Sequence, residues 1–355
     1  RYSPKQVIKL NHSGMPDGER ECSICHRHDY LKDGETECEI CWTLKQMSGN
    51  ILKGDFFTVT SKKEKTCLPL SGNCYLVTDT ESTLRKRMKE DNYYIRSYSK
   101  NKPYSGYYVS TKLWVGDYVN GETFEELGQR ATGIERIAVM RADVDNLGQA
   151  FVRGFENEKN GSKYVTLSRT ATFSRKLSMF FKYHINSLLK EGGYSILEEE
   201  AQMEKEDDRR NALIVYSGGD DIFIVGAWDD IIGFAVDLHD NLMEYSQDTL
   251  KISAGIGIYP SKYPISIMAR ETGRLEEAAK SVEGKNAVAL FDEKYTFPWE
   301  EFIENVVEEK LYFIQKYFKV VDEKGKNFLY NLLELVRKRK EDKINIARFA
   351  YLLGR

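Results

Sequence analysis

Residues 212–225 read ALIVYSGGDDIFIV, and this stretch decides the fold because two apolar runs flank a Gly-Gly-Asp-Asp turn. Both runs are short and rich in branched residues, so they predict the two strands of a hairpin. Glycine lacks a Cβ, so Gly218 and Gly219 are expected to adopt positive φ in the turn and to let a ligand approach the backbone. The adjacent Asp220 and Asp221 repel each other, and a bound cation is the partner that best relieves this repulsion.

The pattern on either side of the hairpin predicts a ferredoxin-like βαββαβ unit, which is an α+β fold. In the second helix, Ile231, Ala235, Leu238 and Leu242 recur at spacings of three and four. This periodicity places one apolar stripe against the sheet. The expected elements are strands at 136–142, 212–216, 222–225 and 251–259, helices at 165–190 and 229–245, and an additional helix at 266–281 followed by a strand at 287–291.

A third carboxylate is expected at the same edge of the sheet. Asp143 follows the first strand, in the segment MRADVDNLG of residues 140–148. In this topology the first strand neighbours the third and ends beside the hairpin turn, so Asp143 should face Asp220. Asp221 and Asp145 should lie close by.

Clustered carboxylates of this kind suit Mg²⁺ or Mn²⁺, which take their remaining ligands from water and substrate phosphates. Two such ions can activate an attacking hydroxyl and stabilise a pyrophosphate leaving group, which is nucleotidyl-transfer chemistry. The simpler alternative is that Asp220 and Asp221 decorate an exposed turn and that Asp143 only starts a loop.

Two lysines and one glycine fit a phosphate-binding role at this edge. Lys280 lies near the end of the helix expected at 266–281, and Lys285 lies in the turn before the last strand. Ammonium groups at these positions could hold a triphosphate. Gly148 would let a phosphate approach the backbone. Taken singly, each lysine is more often a plain surface residue, and Gly148 is equally well explained as a loop glycine.

Four cysteines predict a structural zinc site. Cys22-Ser-Ile-Cys25 and Cys38-Glu-Ile-Cys41 are two CxxC pairs separated by twelve residues, a spacing that completes a tetrahedral site with four thiolates. Four thiolates leave no open position for catalysis. The alternative is a redox or disulfide pair, which a reducing compartment disfavours. No role is assigned to Cys67 and Cys74.

Length and charge restrict the remaining choices. The 355 residues, 41.0 kDa in mass, suffice for about two to three domains. The 52 basic and 55 acidic side chains give a net charge of −3, so nucleic-acid binding would need local patches. The sequence contains neither a run of roughly 20 apolar residues nor an opening signal-peptide pattern, so we expect a soluble cytoplasmic protein. The expected domains are a linker domain with small β structure at 1–133, the βαββαβ domain at 134–296 and an all-helical domain at 297–355.

One local patch lies between Arg85 and Lys112, where eight basic residues outnumber two acidic ones and six tyrosines are interleaved. Basic side chains next to stacking rings suit single-stranded RNA. Tyrosines at this density also occur in half-buried small β-sheets, so an RNA or subunit contact and a structural role both stay open.

Taken in order, the motifs ADVDNLG at 142–148, SGGDD at 217–221, AAK at 278–280 and GKN at 284–286 resemble a known family. They are similar to the GGDD palm of the large subunit of type III CRISPR-Cas effector complexes, in the Csm branch. The cysteine-rich segment and the helical tail ending ARFAYLL at 347–353 resemble the linker and C-terminal domains of that family.

The resemblance implies a nucleotide cyclase- or polymerase-like palm that converts ATP into cyclic oligoadenylate second messengers. The reaction would use Mg²⁺ or Mn²⁺ and start when the surrounding ribonucleoprotein binds target RNA, as part of antiviral defence in a prokaryotic cytoplasm. The implied partners are guide RNA, target RNA and the other subunits of the complex, including a small Csm-type subunit.

The resemblance also assigns roles to individual residues. The attacking group would be a ribose 3′-hydroxyl, so no protein nucleophile is required. Metal would be held by Asp143, the carbonyl of Val144, Asp220 and Asp221. The nucleotide site would be lined by Ser217, Gly218 and Gly219, and phosphates would face Lys280 and Lys285.

The sequence departs from the family in one respect. Family members usually begin with an HD nuclease domain and a first palm, and neither is visible here. The dipeptides His28-Asp29 and His239-Asp240 lack the companion histidines and aspartate of an HD metal site. Since the sequence also begins without Met, we expect a fragment that lacks the N-terminal HD nuclease and first palm. If two ATP molecules must meet between paired palms, the chain alone should bind nucleotide but synthesise poorly.

Two other functions stay open on the sequence. A GGDEF-type diguanylate cyclase shares the first three letters of the turn, although Ile222 replaces the usual Phe and Leu147-Gly148 departs from the Phe-Lys common in that family. A catalytically inert, zinc-stapled ribonucleoprotein scaffold should have lost a metal carboxylate, and none is lost here.

Overall fold

The structure, a computed structural model, describes residues 22–25, 31, 34–156, 159, 161–197, 209–320, 326–337 and 347. The chain divides into two compact units, Arg1–Asp117 and Tyr118–Arg355. The three-domain division at 133/134 and 296/297 stays a prediction. His28-Asp29 and all but the first residue of the ARFAYLL motif lie outside the described residues. In the part of the chain that is described, no helical stretch has both the length and the apolarity that a bilayer-spanning segment requires.

The first unit contains a six-stranded sheet in the order β2-β3-β1-β4-β6-β5. Its elements are α1 (Glu39–Lys53), β1 (Phe56–Thr60), β2 (Leu68–Leu70), β3 (Cys74–Asp79), α2 (Glu81–Glu90), β4 (Tyr94–Lys100), β5 (Tyr104–Ser105) and β6 (Val109–Leu113). The predicted small antiparallel β structure is present, except that β4 and β6 pair in parallel.

Helix α2 is an element that the sequence reading missed. Thr80 and Thr83 form a reciprocal capping box at its N-terminus, which satisfies two backbone donors. Leu84 and Met88, one turn apart, pack against Phe56 of β1. Only these two apolar side chains of the helix are buried, so the helical periodicity of its sequence is weak.

The second unit is built around a sheet in the order β12-β11-β10-β7-β9-β8. Its elements are α3 (Phe124–Gln129), β7 (Ile137–Val144), α4 (Leu147–Arg153), α5 (Leu167–Met179), a π-helical segment (Phe180–His184), α6 (Ile185–Glu191), β8 (Ala212–Ser217), β9 (Asp221–Ala227), α7 (Trp228–Ser246), β10 (Ile252–Tyr259), α8 (Ile265–Ser281), β11 (Ala287–Leu290), β12 (Thr296–Pro298), α9 (Trp299–Glu301), a second π-helical segment (Phe302–Leu311), α10 (Tyr312–Val320) and α11 (Lys326–Arg337). The inner four strands, β10-β7-β9-β8, have the strand order of a ferredoxin-like fold, which confirms the predicted βαββαβ unit.

The two faces of this sheet are covered by different helices. Alternate residues of a strand point to opposite faces, so Met140 and Ala142 share one face while Val139 occupies the other. Met140 and Ala142 belong to the main core, which also holds the predicted apolar stripe of α7. Val139 packs with Met268 of α8. Helix α8 therefore covers the sheet face that carries the odd-numbered residues of β7, and Asp143 is one of them.

The predicted helical character of the C-terminal region is confirmed in the described residues after Pro298. Trp299 and Phe302 are each 1% exposed and belong to the main core of the second unit. The indole Nε1 of Trp299 donates a hydrogen bond to the carbonyl of Ile252 in β10, at 2.8 Å. The start of the helical region is thus packed into the same core as the sheet.

Candidate active site and cysteine cluster

Two neighbouring strands bring the predicted carboxylates together at one edge of the sheet. In the antiparallel ladder between β7 and β9, Asp143 lies directly opposite Asp221. The backbone N–H of Val144 donates to the carbonyl of Asp220 at 3.1 Å, so Asp220 lies next to Val144, one residue beyond the Asp143–Asp221 pair. The sequence predicts Asp220 opposite Asp143. The structure places Asp221 there, because Gly219 and Asp220 form the tip of the turn.

The turn itself explains why one glycine is required. The N–H of Gly218 donates to the carbonyl of Asp221 at 2.8 Å and closes the hairpin. Neither Gly218 nor Gly219 has φ in the left-handed region, so the expectation of positive φ is wrong. Instead, a Cβ on Gly218 would lie 2.2 Å from Asp221 Oδ1 and 2.6 Å from the hydroxyl of Tyr216. A Cβ on Gly219 would meet only Ser178 Oγ, at 3.7 Å.

The carboxylates oppose one another electrostatically. Burial, together with the charges of Asp143 and Asp221, raises the pKa of Asp220, and Lys280 acts in the opposite direction. Asp221 raises the pKa of Tyr216 through its charge and through a hydrogen bond with the phenol. An acidic group that is destabilised by two acidic neighbours is stabilised by a cation bound between them.

Lys280 is the nearest cation to this cluster among the described side chains. Its ammonium group lies 2.6 Å from a carboxylate oxygen of Asp143 and 2.6 Å from one of Glu276. Burial alone would lower the pKa of Lys280, but its hydrogen bonds with Asp143 and Glu276 outweigh that effect and raise it. Glu276 also forms an ion pair with Arg141, whose Nε lies 3.1 Å from Glu276 Oε2. The sequence reading missed Glu276, although its position four residues before Lys280 on α8 is the spacing of a helical ion pair.

The residues that follow β7 contact the turn that carries Lys285. The ammonium group of Lys285 donates to Asn146 Oδ1 at 2.9 Å. Asp145, which the sequence predicts close to these carboxylates, accepts hydrogen bonds from the hydroxyl of Ser253 and from the backbone N–H of Asn286. The sequence reading missed Asn146, which has φ of +53° at the N-terminus of α4.

Two other predicted residues have distinct surroundings. The hydroxyl of Ser217 donates to the backbone carbonyl of Phe181, within the π-helical segment at 180–184. Gly148 is exposed in the first turn of α4, and a Cβ there would meet no atom within 4 Å. The position of Gly148 therefore leaves open space at this end of the sheet but does not itself require glycine.

The predicted cysteine cluster is present in the first unit. The sulfur atoms of Cys22, Cys25, Cys38 and Cys41 all lie within 4.8 Å of one another. The sulfurs of Cys25 and Cys38 are 3.8 Å apart, and a tetrahedral site with Zn–S bonds of about 2.3 Å has S–S edges of about 3.8 Å. The donor set and its spacing therefore fit a Cys₄ zinc site.

Backbone geometry supports this cluster. Cys38 caps the N-terminus of α1, and its sulfur accepts the N–H of Cys41 at 3.4 Å. Backbone N–H groups of Cys25 and Cys38 donate to Cys22 and lower its pKa to about 6. Hydrogen bonding with Cys25, together with burial, raises the pKa of Cys41. Backbone donors that favour a thiolate are typical of metal-binding cysteines.

The basic and aromatic segment at 85–112 divides into two groups of tyrosines. Tyr94 and Tyr104 pack beside Phe56 in the core of the first unit, as a structural role requires. Tyr93 and Tyr107 are 51% and 65% exposed. The buried tyrosines fit the structural role, and the exposed ones are accessible for an RNA or subunit contact, so both interpretations stay open.

Comparison with protein families identifies two regions of the chain. Residues 136–289 match the model described as Cas10/Cmr2, second palm domain. Residues 315–355 match the model described as CRISPR RNA silencing complex Cmr2 subunit, second helical domain. A curated relative from Mycobacterium tuberculosis, a CRISPR system single-strand-specific deoxyribonuclease Cas10/Csm1 of subtype III-A, is 44% identical over 364 aligned residues, covering 100% of this chain and 44% of the relative. The chain belongs to the Cas10/Csm1 family.

Other Cas10/Csm1 proteins agree. The relative from Streptococcus thermophilus is 40% identical, again over 100% of this chain and 44% of its own length. The chain thus spans somewhat less than half the length of these curated relatives. Among solved structures, an apo Csm1–Csm4 cassette has a TM-score of 0.68 at 25% identity, over 88% of this chain and 44% of the other. A Csm1–Csm4 cassette in complex with one ATP has a TM-score of 0.66, and one in complex with cA4 a TM-score of 0.63, each at 25% identity. These matches cover 89% and 84% of this chain, and 44% and 43% of the respective Csm1 chains.

Proposed function

We propose that this chain carries the catalytic palm of a type III CRISPR effector subunit and converts ATP into cyclic oligoadenylates by metal-dependent nucleotidyl transfer. The observation that carries the proposal is the ladder pairing of Asp143 with Asp221, which gathers these two carboxylates and Asp220 at one sheet edge beside Lys280. Csm1–Csm4 cassettes with ATP and with cA4 are among the similar structures, and this supports an adenine nucleotide as substrate.

The carboxylates of Asp143, Asp220 and Asp221, with the Val144 carbonyl, would hold Mg²⁺ or Mn²⁺. Such ions, when bound, lower the pKa of the ribose 3′-hydroxyl and neutralise charge on the pyrophosphate that leaves. The hydrogen bond from the Gly218 N–H to the backbone carbonyl of Asp221 closes the hairpin and fixes the backbone that carries the two turn carboxylates.

Cations on the neighbouring elements would hold the triphosphate. Lys280 is already fixed by Glu276, so its ammonium group stays at the carboxylate edge when Asp143 binds a metal ion instead. Lys285 would contact phosphates from the turn before β11. Ser217, Gly218 and Gly219 would line the nucleotide site, and the open space next to Gly148 would admit a phosphate.

The remaining assignments rest on the same family membership. The Cys₄ cluster would bind one Zn²⁺ and stabilise the first unit. The partners would be other Csm subunits, including Csm4 and a small subunit, guide and target RNA, and an HD nuclease domain and a first palm outside this sequence. Synthesis would take place in a prokaryotic cytoplasm, and the chain alone would synthesise poorly.

The test is to replace the two turn carboxylates and measure synthesis in the assembled complex with target RNA, Mn²⁺ and ATP. Asp220→Ala with Asp221→Ala should abolish oligoadenylate formation while RNA binding is kept. The matched control is Asp292→Ala with Glu293→Ala, an exposed adjacent acidic pair elsewhere in the second unit, which should leave synthesis unchanged. Unchanged synthesis in the turn variant, or a cyclic dinucleotide formed from GTP, would overturn the proposal; the latter would favour the diguanylate cyclase alternative.

A further inference from the structure

Asp145 is a buried carboxylate next to the proposed metal ligands, and its hydrogen bonds give it a separate task. It is 6% exposed, and its Oδ2 atom accepts the hydroxyl of Ser253 at 2.9 Å and the backbone N–H of Asn286 at 3.0 Å. Its own N–H donates to the carbonyl of Lys251 at 2.8 Å. The carboxylate is therefore fixed between β10 and the turn that follows α8.

That turn has an unusual backbone. Lys285 and Asn286 have φ of +53° and +52°, so two consecutive residues with side chains adopt the left-handed conformation. Asparagine tolerates this conformation, but lysine does not adopt it readily, so the pair persists only where the surroundings enforce it. The enforcing contacts are the bond from Asn286 N–H to Asp145 and the bond from Trp299 N–H to the carbonyl of Asn286, at 3.1 Å.

The two residues that directly follow β7 contact both the backbone of this turn and the side chain of Lys285. Asp145 accepts the N–H of Asn286, and the adjacent Asn146 accepts the ammonium group of Lys285 at 2.9 Å. The backbone of the turn and the side chain of Lys285 are thus both held by the two residues that directly follow β7.

We propose that Asp145 is a positioning residue: through the Asn286 N–H it fixes the turn that directs Lys285 at the substrate phosphates. This inference rests on the proposed function. Without this acceptor the partly buried N–H of Asn286 loses its partner and the left-handed pair can relax. Lys285 has a flexible four-carbon stem, and a relaxed turn leaves its charge spread over a larger volume. The loss is then specific to the phosphates that Lys285 contacts.

The carboxylate geometry separates this role from metal binding. Oδ1 of Asp145 makes no hydrogen bond to any described residue, and Asp145 lines a cavity of about 390 Å³. An asparagine could keep an oxygen at the Oδ2 position and place its amide nitrogen at the unpaired Oδ1 position. Asp145→Asn therefore preserves the positioning contacts but removes the negative charge that a metal ligand needs.

The experiment compares ATP and AMP binding to the full chain in Mn²⁺ by calorimetry, so that the ratio of the two affinities isolates the outer phosphates. A charge-assisted phosphate contact contributes about tenfold in affinity, so Lys285→Ala should lower the ATP/AMP ratio by about tenfold. Asp145→Ala should lower it by a similar factor, and Asp145→Asn should retain it. The double variant Asp145→Ala with Lys285→Ala should have the same ATP/AMP ratio as either single variant, because both substitutions remove the same phosphate contact.

A change in stability alone would weaken ATP and AMP binding together and leave their ratio unchanged. If Asp145→Ala does not fold, Asp145→Glu serves in its place, since it keeps the charge but moves the acceptor, and it should lower the ratio. An unchanged ratio in these variants, or an Asp145→Asn variant as deficient as Asp145→Ala, would overturn the inference and leave the proposed function standing. Absence of any Mn²⁺-dependent ATP binding by the unsubstituted chain would overturn both.

Discussion

Gly218→Ala should strongly slow metal-dependent chemistry while leaving the fold intact. The added Cβ would lie 2.2 Å from Asp221 Oδ1, whereas an ordinary C···O contact is about 3.3 Å, so the carboxylate must move by about 1 Å. Metal–ligand distances tolerate changes of only about 0.2 Å. A misplacement of about 1 Å in a reacting site costs about 10²-fold in rate. We therefore expect oligoadenylate synthesis by the assembled complex to fall about 10²-fold.

The matched control is Gly219→Ala, one residue further along the same turn. Its Cβ would meet only Ser178 Oγ at 3.7 Å, which is an ordinary contact, and neither glycine needs a left-handed φ. This variant should stay within a few-fold of the unsubstituted protein. The clash in Gly218→Ala involves the movable end of a side chain, so its melting temperature should change little. Equal activities for the two variants, or a loss of activity explained by unfolding, would refute the reasoning.

Three further predictions concern the rest of the chain. Cys38→Ser should lower bound zinc, measured by elemental analysis, from one ion per chain toward zero, whereas Cys74→Ser, outside the cluster, should not. Burial lowers the pKa of His239 below its ordinary value of 6.5. The unfolded chain therefore binds the proton more readily than the folded chain, and the free energy of unfolding should fall as the pH drops below about 6.5. Urea unfolding of His239→Phe should show a flatter pH dependence. Arg210→Met should lower the free energy of unfolding by about 3–5 kcal/mol, because it leaves the largely buried carboxylate of Asp237 without the guanidinium that pairs with it. A loss under about 1 kcal/mol would contradict this prediction.

The sheet of the second unit could be predicted because its sequence signals agree with its packing. The strand predicted at 251–259 is observed at Ile252–Tyr259, and the helix predicted at 229–245 is observed at Trp228–Ser246. The strand is almost wholly buried and the helix buries one apolar face, so the core accounts for the apolar pattern of both elements. The topology then placed the carboxylates at one edge without further information.

What escaped prediction depended on contacts that sequence spacing does not encode. The opposition of Asp143 and Asp221, rather than Asp220, follows from which two residues occupy the tip of the turn. The need for glycine at position 218 comes from the side chain of Asp221, three residues away, and not from backbone torsion. Helix α2 was missed because only Leu84 and Met88 of its side chains face a core.

The contact between Asn146 and Lys285 spans 139 residues of sequence. A ribosome that adds about 5–20 residues per second would release the first of these residues roughly 7 to 30 seconds before the second. During that interval the nascent chain exposes its acidic strand ends without the lysines that later accompany them. The edge that carries Asp143, Asp220 and Asp221 is therefore joined by Lys280 and Lys285 only after the hairpin that presents two of these aspartates has been synthesised.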